Sequence, residues 1–136
     1  MTQERLVSQL VSAPAELAQS GSVTSAYADM CNRRDFTFLV AVGALAAQKG
    51  VKVELLGAND AEGTKAETVA ETTYTAGSDG ESSRLIAVRG RVTPEWRYMA
   101  VKVSNLNTGA ATTAAVLLVS DSLFVPDDSG MTVLWA

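Results

Sequence analysis

"DFTFLVAVGALAAQKGVKVELLG", Asp35 to Gly57, decides the fold. In its first nine residues Phe36, Phe38, Val40 and Val42 form one alternating set and Leu39 and Ala41 the other. Both sets are apolar, which predicts a central strand covered on both sides. Gly43 and Gly50 bound a connection with room for one helical turn. In the next strand, "VKVELLG", Val51, Val53 and Leu55 alternate with Lys52, Glu54 and Leu56, so one of its faces is wetter.

The same alternation continues toward the C-terminus. "NDAEG" (59–63) is a turn by composition, and "TKAETVAETTYTA" has the Thr, Val and Tyr of an irregular or edge strand. "GSDGES" is a second glycine-punctuated loop. Further strands follow as "RLIAVR", "EWRYMAVKVSN", "AAVLLVSDSLFV" and the terminal "MTVLW". Toward the N-terminus, Leu6, Val7, Leu10 and Val11 share one face of a short helix over Thr2–Val11, which Pro14 ends. "AQSGS" is then a turn. The pattern predicts a mainly β chain, an antiparallel β-sandwich or jelly-roll-like fold, with residues 1–20 as an N-terminal arm or helix and 21–136 as one domain.

Composition narrows the chemistry. The 136 residues are 47% hydrophobic and only 6% aromatic, enough for one domain with a thin core. A net charge of −4 gives no electrostatic footprint for nucleic acid. No segment approaches the ~20 apolar residues of a membrane span, and "MTQERLVSQLVSAPAE" lacks the basic start and apolar run of a signal peptide. The expectation is a soluble protein made in the cytoplasm.

The chain contains no histidine. That removes serine–histidine triads, the usual zinc sites and switching near neutral pH. Cys31 is the only cysteine and reads as a small buried hydrophobe. There is no dinucleotide or phosphate-loop glycine pattern. The acidic clusters at Asp60/Glu62, Asp79/Glu81 and Asp127/Asp128 lack a calcium-loop pattern and read as solvated turns. No catalytic residue, cofactor or metal is expected.

"GESSRLIAVRGRVTPEWRYMAVKVSN", Gly80 to Asn105, carries Arg84, Arg89, Arg91 and Arg97. Pro94 makes "GRVTPE" a connection between strands. Glu81 and Glu95 dilute the charge, so Arg97 reads as a strand-end cation, wet or paired with a carboxylate, and the four arginines as candidates for inter-subunit salt bridges.

The succession "FTFLVAVGALAAQKGVKVELLGANDAEG" and "SRLIAVRGRVTPEWRYMAVKVSNLNTGAATTAAVLLV" resembles small tailed-phage virion proteins of the capsid decoration, or cement, type. An apolar strand closes on a "VGAL" turn. A "VKVEL" strand leads to a loop, here "NDAEGT", and an arginine–aromatic strand precedes an Ala/Val-rich one. The resemblance covers about Asp35 to Ser120.

It implies a non-enzymatic protein on the capsid exterior that binds the major capsid protein where subunits meet. It also implies association with copies of itself, a trimer by preference, with neither nucleic acid nor membrane as a partner. Leu6, Val7 and Leu10, Arg97, and Met131, Val133, Leu134 and Trp135 are the candidate interface residues, with Trp135 as anchor. The alternatives are a head–tail connector or tail component, or a carbohydrate-binding module stacking sugars on Tyr27, Tyr74 and Trp96.

Overall fold

The computed structural model describes residues 6–121 apart from 32 and 108. Nine strands make up the described chain: β1 (Leu6–Leu17), β2 (Ser22–Thr24), β3 (Ala28–Asp29), β4 (Asp35–Val42), β5 (Gly50–Ala58), β6 (Glu67–Thr75), β7 (Arg84–Arg91), β8 (Tyr98–Asn105) and β9 (Thr112–Asp121). The front sheet has the order β1-β9-β4-β7. The back sheet has the order β2-β8-β5-β6, with β3 also on β8.

The pairings are nested. β5 pairs β6, β4 pairs β7, β2 and β3 pair β8, and β1 pairs β9, all antiparallel. The chain is therefore one long hairpin wound into two sheets, with β4–β9 and β5–β8 as the additional ladders that close them. With β2 and β3 counted as one interrupted strand, this is the eight-position jelly roll.

The interruption has a local cause. The Ser25 amide donates to the Val101 carbonyl at 2.9 Å, and Ser25 Oγ accepts from the Val101 amide at 3.0 Å. One residue on, the Ala26 amide donates to Val11 of the front sheet at 2.8 Å. A side chain thus stands in for a ladder carbonyl while the backbone crosses between sheets.

The core lies where the inner faces meet. Phe36, Phe38, Val40 and Val42 of β4 are buried with Ala114, Val116 and Leu118 of β9, against Val51, Val53, Val101 and Val103 of the back sheet. The rings of Phe36 and Phe38 meet edge-on, with centroids 5.6 Å apart. Gly90 stands opposite Phe36, and a β-carbon there would come within 2.7 Å of its ring. At the end of this core Asn105 Nδ2 donates to the carbonyls of Leu17, Ala18 and Ala110, and its Oδ1 accepts from the Asn107 amide. One buried amide so ties the β1–β2 turn to the β8–β9 connection.

Four expectations need correction. No helix forms over the described part of Thr2–Val11: from Leu6 onward the chain is β1. A helix of ten residues is marginal in water, whereas pairing with β9 satisfies the backbone and buries Val11 and Leu17. Pro14 lies within the second register shift of β1, between Ser12 and Ala15, on a sheet edge where no ladder donor is required. The connection 43–49 has no helical turn; Leu45 bridges to Glu81 and is buried. Cys31 is exposed, because Met30 takes the inward position. Finally, β4 is covered on one face only: Leu39 is half-buried and Ala41 exposed.

Two substitutions test this packing. Phe38→Ala is expected to lower unfolding free energy by about 3–5 kcal/mol. Gly50→Ala would place a β-carbon 2.0 Å from the Tyr74 carbonyl oxygen and is expected to cost about 1–3 kcal/mol as β6 gives way. Denaturant midpoints measured at constant m-value check both.

Candidate interaction surface

Strand register turns the second apolar set of β4 into a surface. Leu10 of β1 stands opposite Leu117 of β9, Leu117 opposite Leu39 of β4, and Leu39 opposite Ala87 of β7. This apolar row crosses the whole front sheet on its outer side. The next row is Ala115, Ala41 and Leu85, beside the exposed Ala13 and Pro14 of the β1 bulge. Leu10 is 57% exposed and Leu85 62%, on the two edge strands of this apolar surface.

Polar rows border the apolar ones. On one side are Ser8, Val119, Thr37 and Arg89, then Asp35 and Arg91; on the other are Glu16 and Thr113. The back sheet is the contrast. Its outer face carries Lys52 between Glu54 at 3.7 Å and Glu71 at 3.2 Å, and Thr68 donates to Glu54 at 3.1 Å. Apart from Val69 on edge strand β6, 46% exposed, the back sheet is finished for water, and the front sheet is not.

The arginines of Gly80–Asn105 do not form a cluster. Arg84 lies 3.6 Å from Glu81 and 4.5 Å from the Tyr74 ring centroid, and Arg91 lies 3.1 Å from Asp35. Arg97, on the bend before β8, donates from Nε and Nη2 to both oxygens of Asp29 at 3.3 and 3.1 Å and lies over Tyr98. These contacts are all within the chain. Arg89 differs: among the described residues it has no hydrogen-bonding or ionic partner, and neither has Glu16.

At the Arg97 end, the Arg33 guanidinium is partly buried. It donates to the Asp29 carbonyl at 3.0 Å, to Gln9 Oε1 at 3.5 Å and to Ser120 Oγ, joining β1, β3 and β9. Burial lowers its pKa from the usual guanidinium value. Beside it Met30, Cys31, Val92, Thr93, Pro94, Trp96 and Arg97 line an open cleft of about 260 Å³.

Of the expected interface residues, Leu10 lies in the apolar row, whereas Arg97 is at the end of the back sheet, bound to Asp29. The structure does not bring these two together. Leu6 and Val7 pair with Asp121 and Ser120 by backbone register. Met131, Val133, Leu134 and Trp135 lie outside the described residues.

The aromatic platforms of a sugar-binding reading have intrachain partners. The Trp96 ring lies so close to Gly57 that a β-carbon there would come within 2.6 Å of it, and Tyr27 covers Gly63 in the same way. Tyr74 is taken by Arg84 and by a hydrogen bond to Glu81. Asp60 Oδ1 accepts from the Thr64 amide at 2.8 Å, the turn role expected of that loop. Among the described residues no group of three acidic or cysteine side chains is placed to hold a metal.

The sequence matches no protein-family model and no curated protein. Solved structures are similar to it in fold. PBSX exported protein XepA aligns at 15% identity and TM-score 0.57, over 96% of this chain and 43% of that one. A chain of infectious bursal disease virus, Gx strain, aligns at 7% identity and TM-score 0.58, over 89% and 33%. The enzymatically active domain of bacteriophage CBA120 tailspike protein 4 aligns at 11% identity and TM-score 0.52, over 83% and 18%. The shared feature is the jelly roll. This chain spans less than half of each of those chains, a module in length beside them.

Asp29 carries a pH signature. The Arg97 hydrogen bond, first among several causes, holds its carboxyl below the ordinary value of 3.8. A depressed carboxylate pKa contributes stability above the unfolded-state value, and that contribution is lost as pH falls through the folded-state value. Asp29→Asn is expected to be slightly less stable at neutral pH and to show a shallower loss of stability below about pH 4, read from urea midpoints across the acid range.

Proposed function

We propose that this chain is a non-enzymatic structural protein of a phage particle, one that binds the capsid surface where subunits meet and stabilises the head. The observation that carries the reading is the outer face of the front sheet: two apolar rows bounded by polar ones, on a domain whose other sheet is finished for water. A face of this kind is made for protein contact. Its jelly roll is shared with a phage-encoded exported protein and with a virus structure, and the absence of histidine fits a role without acid–base chemistry.

Many copies acting together turn weak contacts into lasting attachment. The apolar residues Met131, Val133, Leu134 and Trp135 add an anchor to the capsid surface, with Trp135 as its largest side chain.

Copy number in purified particles, measured by quantitative mass spectrometry against the major capsid protein, tests the reading. Abundance comparable to the capsid subunit is expected. A single ring's worth of copies would replace decoration by a connector or tail role, and absence from the particle would overturn the virion role. Deleting Met131–Ala136 is expected to weaken binding to particles by about thirtyfold or more, the loss of one hot spot, with an unchanged far-UV circular dichroism spectrum. Full-strength binding by the truncated chain would remove the C-terminal anchor.

A further inference from the structure

The structure assigns an occupant to the front face: the same face of a second copy, related by a two-fold axis lying in the plane of contact. This rests on the reading above only in treating the front face as a contact surface; with a second copy on that face, the capsid contact falls to the C-terminal residues Met131, Val133, Leu134 and Trp135.

The pattern of charge selects this occupant. Within the four rows from Ser8–Arg89 to Glu16–Thr113, Glu16 stands at one corner, on β1, and Arg89 at the diagonally opposite corner, on β7; the paired Asp35 and Arg91 lie one row beyond Arg89, and the Glu16 row is carried by β1 and β9 alone. Neither has an ionic partner among the described residues. A two-fold axis along the other diagonal exchanges those corners, so Glu16 of each copy faces Arg89 of its mate. The same operation sets Leu117 on its own counterpart, Leu10 against Val119, and Leu39 against Ala115. The strands of the two copies then cross steeply, as in orthogonal sheet packing.

The size agrees with reversible pairing. Four strands spaced ~4.8 Å apart and about eight residues at ~3.3 Å give roughly 19 by 26 Å, on the order of 500 Å² per copy. The total, about 1,000 Å², lies at the lower bound for specific association, the size class of weak and transient pairing. A patch that meets itself is isologous and closes at two. The trimer implied by resemblance to cement proteins would need a second, different patch.

Sedimentation equilibrium of the full chain from about 1 to 200 μM covers the range of weak, reversible pairing. The expected result is a monomer–dimer equilibrium. Arg89→Glu and Glu16→Arg should each weaken it at least about tenfold by placing like charges together, and the double variant E16R/R89E should restore it to within about threefold. Both side chains are solvent-facing, so circular dichroism should not change.

A monomer throughout the range, a trimer, a dimer indifferent to either single swap, or a double variant as weak as the singles would each overturn the pairing. The virion reading fails separately. A dimer absent from particles would overturn that reading and leave the pairing standing, while a monomer abundant on particles would do the reverse.

Discussion

Strand β9 is the element on which the rest of the structure depends. It lies between β1 and β4, so its backbone groups serve two ladders at once. Its alternate side chains supply Ala114, Val116 and Leu118 to the core and Ala115, Leu117 and Val119 to the outer face. Because it is the last described strand and β1 the first, closing the front sheet joins the ends of the described chain. The nested hairpin therefore pairs its most distant residues last in the winding, the costly order for loop closure. The buried Asn105 and the partly buried Arg33, which bind several segments each, sit at the ends of this closure.

The β content, the two alternating strands of Asp35–Gly57, the edge character of β6 and the strand-end place of Arg97 were legible in the sequence, because period-two patterning and glycine or proline punctuation are local signals. The paired leucines and valines of β1 were misread because Leu6, Val7, Leu10 and Val11 suit a helix equally well; only the bulges around Pro14, set by pairing with distant β9, decide for strand. The second apolar set of β4 was visible. Whether another layer of the same chain covers such a set is a tertiary fact that no window of sequence contains.

The candidate surface was legible only in part for the same reason. Leu10 was identified, but its neighbours Leu117, Leu39, Ala87 and Leu85 come from three other strands and meet it only through register. Arg89 was legible as a candidate for an inter-subunit salt bridge, whereas nothing in the sequence singled out Glu16. Their meaning comes from standing at opposite corners of an apolar face. Arg97 drew attention through its setting beside aromatics, and Asp29, which no spacing rule connects to it, explains its position.

The claim that joins fold to function is that the front sheet is a contact surface and the back sheet is not. Hydroxyl-radical footprinting of the full chain, dilute and concentrated, measures this directly. The account predicts that Leu10, Leu39, Leu85 and Leu117 are labelled in dilute solution and protected on concentration, while Leu56 and Tyr74 of the back sheet label equally in both. Unchanged labelling of all four leucines across that range would contradict it.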